Sequence, residues 1–555
     1  MTESSPKLQK GRVKPKTGPQ KQRTANRSFF SGVMILTVSN LLVKITGLLF
    51  KIPMNYIVGD TGMGYFNSAY SIYTFFYMLS TSGLPVALAV MVSEKRAAGN
   101  ITAAKTISRT ALALFVAGGL GVFLLMFFAS GELAELIRSD KSALSVAVAA
   151  PTMLFICVSS ALRGYFQGCG NMLPTAVSQL IEAVGKLVIG IAAAVYAIRM
   201  DYGIHVIAAY AVSGLTLGSF AGMVYLLIAK FLHGDRDLLT EDLTFRNETV
   251  PYRDVLTRFV KISLPITISA SVMSLTNMID TALIQRILQH AGMAEEEAAT
   301  LFGNYTSLAV PMFNLPPVFV YPIAYSIVPA VAAALSSGQK DKAANAVEMS
   351  LRAAVLIGMP CALGLTVLAD PILCIFYKAD SAHLASPLLT LLAPSSFFVC
   401  ILAVTNSILQ SCGEERKPVI SMLCGAVVKC ASSVILLQKI GIAGAPVSTF
   451  LCYFTVTVLN LAFVVKCTGI RPNFTKIFFL PAVAGLACAV CAAAVNRLLA
   501  PVISAKFACF AAIFAAAAVY AGLLLATGNV TIDEIKTIIT GAKKQDHEPN
   551  GQTEK

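Results

Sequence analysis

The chain has 555 residues, of which 56% are hydrophobic and only 13% are charged. Soluble proteins carry about 25% charged residues, so this composition excludes an ordinary water-soluble enzyme and predicts a protein with many membrane crossings. The formal net charge is +14, but Lys and Arg concentrate in the first residues and in short loops, a distribution typical of membrane topology rather than of nucleic-acid binding.

The amino-terminal segment 1–27 is polar and basic, with eight Lys or Arg residues and one acidic residue. We expect it to be a disordered cytoplasmic arm that orients the protein. The thirteen cysteines lie mostly within apolar stretches, where they predict small buried side chains. Neither a metal site nor a cofactor is predicted.

The first apolar span, at about 31–57, carries two lysines. Lys51 follows Lys44 by seven residues, so a helix places both on one face. A cation at bilayer depth costs at least about 2.5–3.5 kcal/mol unless it faces water or a partner. This pattern favours a cationic wall lining a path for an anion. The alternative is that the lysines reach the membrane surface or pair structurally.

Hydropathy predicts about fourteen transmembrane helices and no strands, as two parallel six-helix lobes around a central cavity, with two additional carboxy-terminal helices. Basic loops alternate with acidic ones, which predicts that both termini are cytoplasmic. The predicted segments after the arm are the N-lobe 28–229, a cytoplasmic linker 230–259, the C-lobe 260–466, two further spans within 467–530, and a polar tail 531–555.

An internal duplication supports the two lobes. Adding 243 to Cys169 and Lys186 leads to Cys412 and Lys429, in similar surroundings. An even number of helices in each repeat keeps the two copies parallel, with the substrate site expected between them.

Polar residues within the spans are few, and these are candidates for the cavity. We predict that Asn67, Asn277, Asp280 and Arg286 line the cavity together with the two lysines. Asp280 is deep in its span and is the candidate for a proton or sodium coupling site. Arg286 lies nearer the end of the span, where it could also reach the membrane surface.

One pair of charges has a structural interpretation. Glu182 and Lys186 lie one helical turn apart. Such residues are neighbours on the helix surface. We therefore predict that they form an ion pair.

The second and eighth spans contain helix-breaking residues. Proline removes a backbone donor and kinks a helix, and paired interruptions in the two halves of a transporter point to its binding site. A static kink is the alternative. The predicted hinge residues are Gly83, Pro85, Pro316, Pro317 and Pro329.

An aromatic stripe along the second span, from Tyr65 to Tyr77, has two interpretations. The rings could stack on sugars, or they could pack within the protein.

Three stretches together resemble the polysaccharide-exporter branch of the multidrug/oligosaccharidyl-lipid/polysaccharide flippase superfamily. They are GMGYFNSAYSIYTFFYMLSTSGLPVALAVMVSEK, NYTSLAVPMFNLPPVFVYPIAYSIVPAVAAAL and the GYFQG…P junction. The resemblance covers about residues 28–530 and implies alternating access with a polyprenyl-pyrophosphate-linked sugar as substrate. Lipid II flippases keep cations in the first helix of the cavity, where Lys44 and Lys51 lie. This chain departs from its relatives at Ala89-Val90, where they often have Ser-Lys, so the particular glycan is not specified.

The expected function is thus a non-enzymatic, monomeric flippase of the bacterial plasma membrane that carries a lipid-linked glycan. Two alternatives are a cation-coupled drug exporter with the same fold and a membrane glycan polymerase or ligase. The drug exporter predicts a predominantly acidic cavity, and the polymerase predicts a large outer loop with catalytic carboxylates or arginines.

Overall fold

The computed structural model describes residues 19–233, 251–336, 339–414, 416–469 and 475–527, and within these ranges the chain is helical without strands. Long apolar segments become helices because a helix satisfies its own backbone hydrogen bonds in lipid. The N-lobe contains α1 (Pro19–Thr81), α2 (Gly83–Ala97), α3 (Ile101–Phe128), α4 (Ser130–Leu136), α5 (Ala143–Gly168), α6 (Leu173–Arg199) and α7 (Ile204–His233). The C-lobe contains α8 (Tyr252–His290), α9 (Glu295–Gly303), α10 (Val310–Phe313), α11 (Leu315–Ser336), α12 (Lys340–Val367), α13 (Ala369–Phe376), α14 (Ala379–Ser411), α15 (Arg416–Ile440) and α16 (Gly444–Thr468). Two more helices, α17 (Leu480–Leu499) and α18 (Ala505–Ala526), follow.

α1 is a hairpin of the first two predicted spans. Gly59 has φ 75° and ψ 175°, a conformation that only glycine adopts readily. The rings of Phe50 and Phe66 lie 5.6 Å apart, whereas a straight helix would separate them by about 24 Å. The chain therefore turns back on itself at Gly59.

The number of crossings agrees with the prediction. Eleven helical stretches are long and apolar enough to span a membrane. Two of these stretches, Val38–Ala97 and Arg416–Thr468, each contain two crossings, and α8 adds another. The fold class, fourteen helices of an integral membrane protein, is confirmed.

The two lobes repeat the same packing. In the N-lobe α3 packs on α5, and α5 and α6 pack on α7, while in the C-lobe α12 packs on α14, and α14 and α15 pack on α16. The repeat extends to single residues, because Gly119 lies against Cys157 just as Gly358 lies against Cys400. Cys157 and Cys400 are related by the 243-residue shift found in the sequence.

α17 and α18 form an appendage to the C-lobe. They pack on each other, α17 also packs on α12, and α18 also packs on α13. Their shared core includes Leu368, Ala484 and Cys509. No second pair of helices corresponds to them in the described part of the N-lobe.

Two predicted segment boundaries are corrected by the structure. α1 begins at Pro19, so the end of the arm 1–27 is helical rather than disordered. The linker 230–259 is shorter than predicted, because α7 continues to His233 and α8 begins at Tyr252. Helices of this length project beyond the bilayer into polar sequence. Residues 1–18, 234–250 and the tail 531–555 lie outside the described residues.

Both predicted helix interruptions are present, but they do not match between the lobes. The first lies at Ser82, between α1 and α2, and the second lies at Asn314, between α10 and α11. Pro316 and Pro317 occupy the first turn of α11, where the missing N–H has no partner to lose. Pro329 lies inside α11 and does not interrupt it.

The lobes contact each other on two faces of the bundle. We call the face that carries Gly59 the turn face and the face that carries the start of α8 the linker face. On the linker face α2 packs on α8, and Glu94 forms an ion pair with Arg258. A Cβ atom at Gly83 would lie 2.2 Å from the Ser263 carbonyl oxygen, so glycine permits this close approach.

Candidate functional site

Lys44 reaches from one lobe to the other. It is exposed on α1, and its Nζ lies 3.9 Å from the centroid of the Tyr321 ring in α11. An ammonium over an aromatic face is attracted by the negative face of the ring. Because α1 and α11 belong to different lobes, this charge lies in the cleft between them.

Lys51 also contacts the opposite lobe. Its Nζ donates a hydrogen bond to the Thr306 carbonyl oxygen at 2.8 Å. Thr306 lies in the π-helical turn Asn304–Ala309, and such turns are frequent at functional sites. Lys186 of α6 interacts electrostatically with Lys51, so the positive charge on this side extends beyond α1.

The predicted ion pair between Glu182 and Lys186 is wrong. Glu182 Oε2 instead pairs with Arg163 Nη2 of α5 at 2.9 Å. Arg163 also donates through Nε to Ser178 Oγ at 3.0 Å. A guanidinium can satisfy a carboxylate through several donors at once. The partner of Glu182 therefore comes from α5, whereas the prediction placed it on the same helix, α6.

Lys186 is directed toward aromatic rings instead of a carboxylate. Its Nζ lies 4.9 Å from the centroid of Phe50 and 4.5 Å from that of Tyr70. The two aromatic faces attract the half-buried ammonium and replace part of its contact with water. Sequence reasoning assigned this residue to structure and missed its place beside Lys51.

The aromatic stripe of the second span packs against itself. Tyr70 and Tyr73 have ring centroids 5.4 Å apart, and Tyr73 and Tyr77 have theirs 5.7 Å apart. Tyr73 is only 3% exposed. These contacts favour the packing interpretation over sugar stacking.

Asp280 lies in a buried ion pair within the C-lobe. Its Oδ2 is 3.2 Å from Lys429 Nζ of α15, and its Oδ1 accepts a hydrogen bond from Ser433 Oγ at 3.1 Å. Asp280 is 7% exposed, and a buried carboxylate requires such partners. The structure thus places it between α8 and α15, with its carboxylate already paired.

The other predicted cavity residues differ in exposure. Asn277 and Arg286 are exposed on α8, and Arg286 has no ion-pair partner among the residues that the structure describes. Asn67 is buried at a contact between the lobes, where its Nδ2 donates to Ser307 Oγ at 2.5 Å.

Asp60, which sequence reasoning did not select, joins the two lobes on the turn face. From the N-lobe, Asn55 Nδ2 donates to its Oδ1 at 2.9 Å. From the C-lobe, Ser381 Oγ donates to its Oδ2 at 2.7 Å. The Asn304 amide, oriented to donate, lies 3.1 Å from the same Oδ2. A carboxylate with three donors from both lobes is a strong polar contact.

Other contacts on the turn face surround Asp60. Lys378 Nζ donates to the Tyr56 carbonyl oxygen at 3.4 Å, and Thr61 and Thr300 hydroxyls lie 2.7 Å apart. Tyr377 donates from its hydroxyl to the Ser307 carbonyl oxygen at 3.0 Å. Burial raises the pKa of the Tyr377 phenol well above its usual range, so the hydroxyl keeps its proton.

Two glycines allow the backbones of the lobes to touch on the turn face. A Cβ atom at Gly64 would lie 2.0 Å from the Ala299 carbonyl oxygen, and one at Gly303 would lie 2.1 Å from the Asp60 carbonyl oxygen. Real Cβ atoms do not approach backbone this closely. The turn face is therefore closed in this structure.

The only sequence signal for Asp60 was a carboxylate following a glycine at the end of an apolar span. That pattern is typical of any loop. Two of the three residues that donate to Asp60, Asn304 and Ser381, come from positions more than 200 residues away.

Comparison with known proteins identifies the family. The profile described as "Polysaccharide biosynthesis protein" matches residues 29–335, and that described as "MatE" matches residues 265–435. "Stage V sporulation protein B" of Bacillus subtilis (strain 168) is 26% identical over 520 residues, which cover 93% of this chain and 98% of that protein. "Lipid II flippase MurJ" of the same organism is 23% identical over 434 residues, which cover 76% of this chain and 80% of that protein.

Solved structures show the same fold. "Lipid II flippase MurJ, inward closed conformation" superposes with a TM-score of 0.67 at 13% identity and covers 92% of this chain and 100% of that chain. An "Inward-facing conformation of a multidrug resistance MATE family transporter of the MOP superfamily" superposes with a TM-score of 0.60 at 14% identity, over 77% of this chain and 98% of that chain. These relatives are transporters and flippases, and this chain is a multi-pass membrane protein like them. Since the first profile matches more than half of its length, the chain belongs to the family described as "Polysaccharide biosynthesis protein".

Proposed function

We propose that the protein flips a polyprenyl-pyrophosphate-linked sugar, such as lipid II or a related cell-wall or polysaccharide precursor, from the inner to the outer leaflet. The observation that carries this proposal is the reach of Lys44 and Lys51 from α1 to the opposite lobe. These two ammonium groups lie at the interface between the lobes, and Lys186, which interacts electrostatically with Lys51, adds a third positive charge to the N-lobe side. Such a group of cations suits a pyrophosphate better than any neutral headgroup.

The acidic residues near the cleft already have partners. Asp280 is paired with Lys429, and Asp60 accepts hydrogen bonds from Asn55 and Ser381. This leaves cationic groups to meet a substrate, which favours an anionic one. The MatE match keeps a drug exporter as the second candidate, and that function would predict unpaired carboxylates in the cleft. A strain lacking the protein should then become sensitive to cationic drugs.

The charges of the two faces support an orientation. The linker face carries basic residues near the start of α8 and the end of α2, and the turn face carries an acidic helix start. Basic loops are retained on the cytoplasmic side, so we propose that the linker face and both termini are cytoplasmic, in a bacterial plasma membrane. The residues concerned are Lys95, Arg96, Arg253 and Lys261 on the linker face, and Glu295, Glu296 and Glu297 on the turn face.

Alternating access then follows from the closed turn face. The lobes hold the outer side shut through Asp60, and separation of α2 from α8 on the linker face would let the headgroup reach Lys44 and Lys51 from the cytoplasmic side. Rocking of the lobes about the breaks at Ser82 and Asn314 would open the outer side. The lipid tail stays in the bilayer, so only the headgroup has to pass between the lobes, and no chemistry on the glycan is required of the protein.

The membrane potential can supply part of the driving force. Moving an anion outward is favoured by about 2.3 kcal/mol per charge per 100 mV. Because Lys429 already neutralises Asp280, a proton or sodium ion could use this carboxylate only if the ion pair opened. We propose potential-driven transport by a monomer, with Asp280 as a structural residue of the C-lobe.

Flipping by purified protein in liposomes tests the proposal. A charge-assisted hydrogen bond contributes about 1.5–3 kcal/mol, so Lys44→Gln or Lys51→Gln should each lower flipping of a lipid-linked pyrophosphate about 10–150-fold at limiting substrate. Lys439→Gln, which neutralises an exposed lysine at the end of α15, is the control and should flip normally. Unchanged flipping in both cleft variants would refute the proposal.

A further inference from the structure

Three side chains with metal-binding atoms lie together on the turn face, outside the cleft. Asp370 and Cys374 are four residues apart on α13, which puts them on one face of that helix. His383 lies in the first turns of α14. One donor atom from each of the three lies within 4.8 Å of the others, and His383 Nδ1 is 2.6 Å from Asp370 Oδ1.

The chemistry of these three donors is selective. A thiolate, an imidazole and a carboxylate suit Zn²⁺ and similar transition metals, whereas Mg²⁺ and Ca²⁺ require oxygen ligands. Tetrahedral Zn²⁺ with bonds of about 2.0–2.3 Å holds its ligand atoms roughly 3.3–3.6 Å apart. One pair of donor atoms is 2.6 Å apart and all three lie within 4.8 Å of one another, so side-chain movements of roughly 1 Å would bring them to that spacing. Its histidine is exposed, so an ion can enter.

We propose that Asp370, Cys374 and His383 bind a single transition-metal ion of the Zn²⁺ class, with water as the fourth ligand. The simpler interpretation is a hydrogen bond between His383 and Asp370 with a cysteine nearby by chance. That interpretation predicts no involvement of the sulfur atom, so the two differ in a directly measurable way.

The position of the site suggests that a bound ion would affect the closed turn face. The ligands flank the short segment 377–381, which carries contacts that close the turn face. Within it Lys378 donates to Tyr56 and Ser381 donates to Asp60, both in the opposite lobe. An ion that joins α13 to α14 would hold this segment in place. It should therefore stabilise the closed turn face and slow transport.

Metal binding is tested on the purified full-length protein in detergent, with Co²⁺ as the probe. A thiolate ligand gives Co²⁺ a charge-transfer band in the near ultraviolet, which Cys374→Ser should abolish. Loss of a supporting group alone weakens metal sites about 10–100-fold, so His383→Ala should raise the Kd at least about 100-fold. Cys424→Ser, which removes an exposed cysteine on α15, is the control and should keep the band.

A second measurement needs no variant. Zn²⁺ should protect Cys374 of the wild-type protein from alkylation, read by mass spectrometry, and a chelator should restore the alkylation. No band and no protection would overturn the proposal, as would a band that persists in Cys374→Ser.

The effect of the metal on transport rests on the proposed function. A failure of the metal effect can be distinguished from a failure of the flippase proposal. Zn²⁺ added outside the liposomes should slow flipping by the wild type, a chelator should restore it, and Cys374→Ser should be insensitive. Binding without any slowing would overturn the coupling to the turn face. Absence of flipping in metal-free liposomes would count against the proposed flippase function. The cobalt titration would then be the test of the metal site.

Discussion

Gly303 is the position where a single methyl group should shift the equilibrium between the lobes. Its Cβ atom would lie 2.1 Å from the carbonyl oxygen of Asp60. Carbon–oxygen contacts need about 3.3 Å, and the oxygen belongs to backbone of the opposite lobe. In Gly303→Ala, α9 and the second half of α1 must therefore separate by roughly 1 Å to keep the turn face together.

The size of the effect follows from this overlap. Overpacking of this kind costs about 1–3 kcal/mol, which corresponds to a 5–150-fold shift in a two-state equilibrium. The helix propensity that alanine adds, up to about 1 kcal/mol, acts on the open and closed states alike. The ratio of open to closed turn face should rise by the full 5–150-fold.

Carbodiimide labelling of carboxylates measures this ratio. Opening separates Asp60 from Ser381 and Asn304, so its labelling should rise in Gly303→Ala, while labelling of the exposed Glu132 stays constant as a reference. Gly118→Ala on α3 is the matched control, because its Cβ atom would meet nothing within 4 Å. Equal Asp60 labelling in wild type and Gly303→Ala would show that the turn face accepts a methyl group and that the close approach is not a constraint.

Three further changes test other contacts. Lys429→Met leaves Asp280 buried without its ion pair and should lower the unfolding free energy, measured in detergent, by about 3–5 kcal/mol. The control Arg286→Met should change the unfolding free energy by less than about 0.5 kcal/mol. Similar losses in both variants would contradict a stabilising role of the ion pair. Gly59→Ala forces a non-glycine residue to φ 75° and should lower the unfolding free energy by about 1–3 kcal/mol. A thermal melt equal to that of the wild type would disprove this strain. Ser381→Ala removes one donor to Asp60 and should raise carbodiimide labelling of that carboxylate about tenfold or more, so an unchanged label would mean that the remaining donors suffice.

Much of the fold could be predicted because it depends on local properties of the chain. A helix crosses a bilayer when about 20 consecutive residues are apolar, so fourteen crossings and their approximate positions follow from the sequence alone. The 243-residue repeat, seen in Lys186 and Lys429, predicted two lobes of like packing. The cost of charge at bilayer depth also singled out Lys44 and Lys51 before any neighbour was known.

The partner of each charge was decided only by the tertiary structure. Glu182 lay beside Lys186 in the sequence, yet it pairs with Arg163. Asp280 found its partner in Lys429, about 150 residues away, and Ser381, which donates to Asp60 from the opposite lobe, is 321 residues away. Helical periodicity tells which face a side chain occupies, but which other helix lies against that face depends on how all the helices pack together.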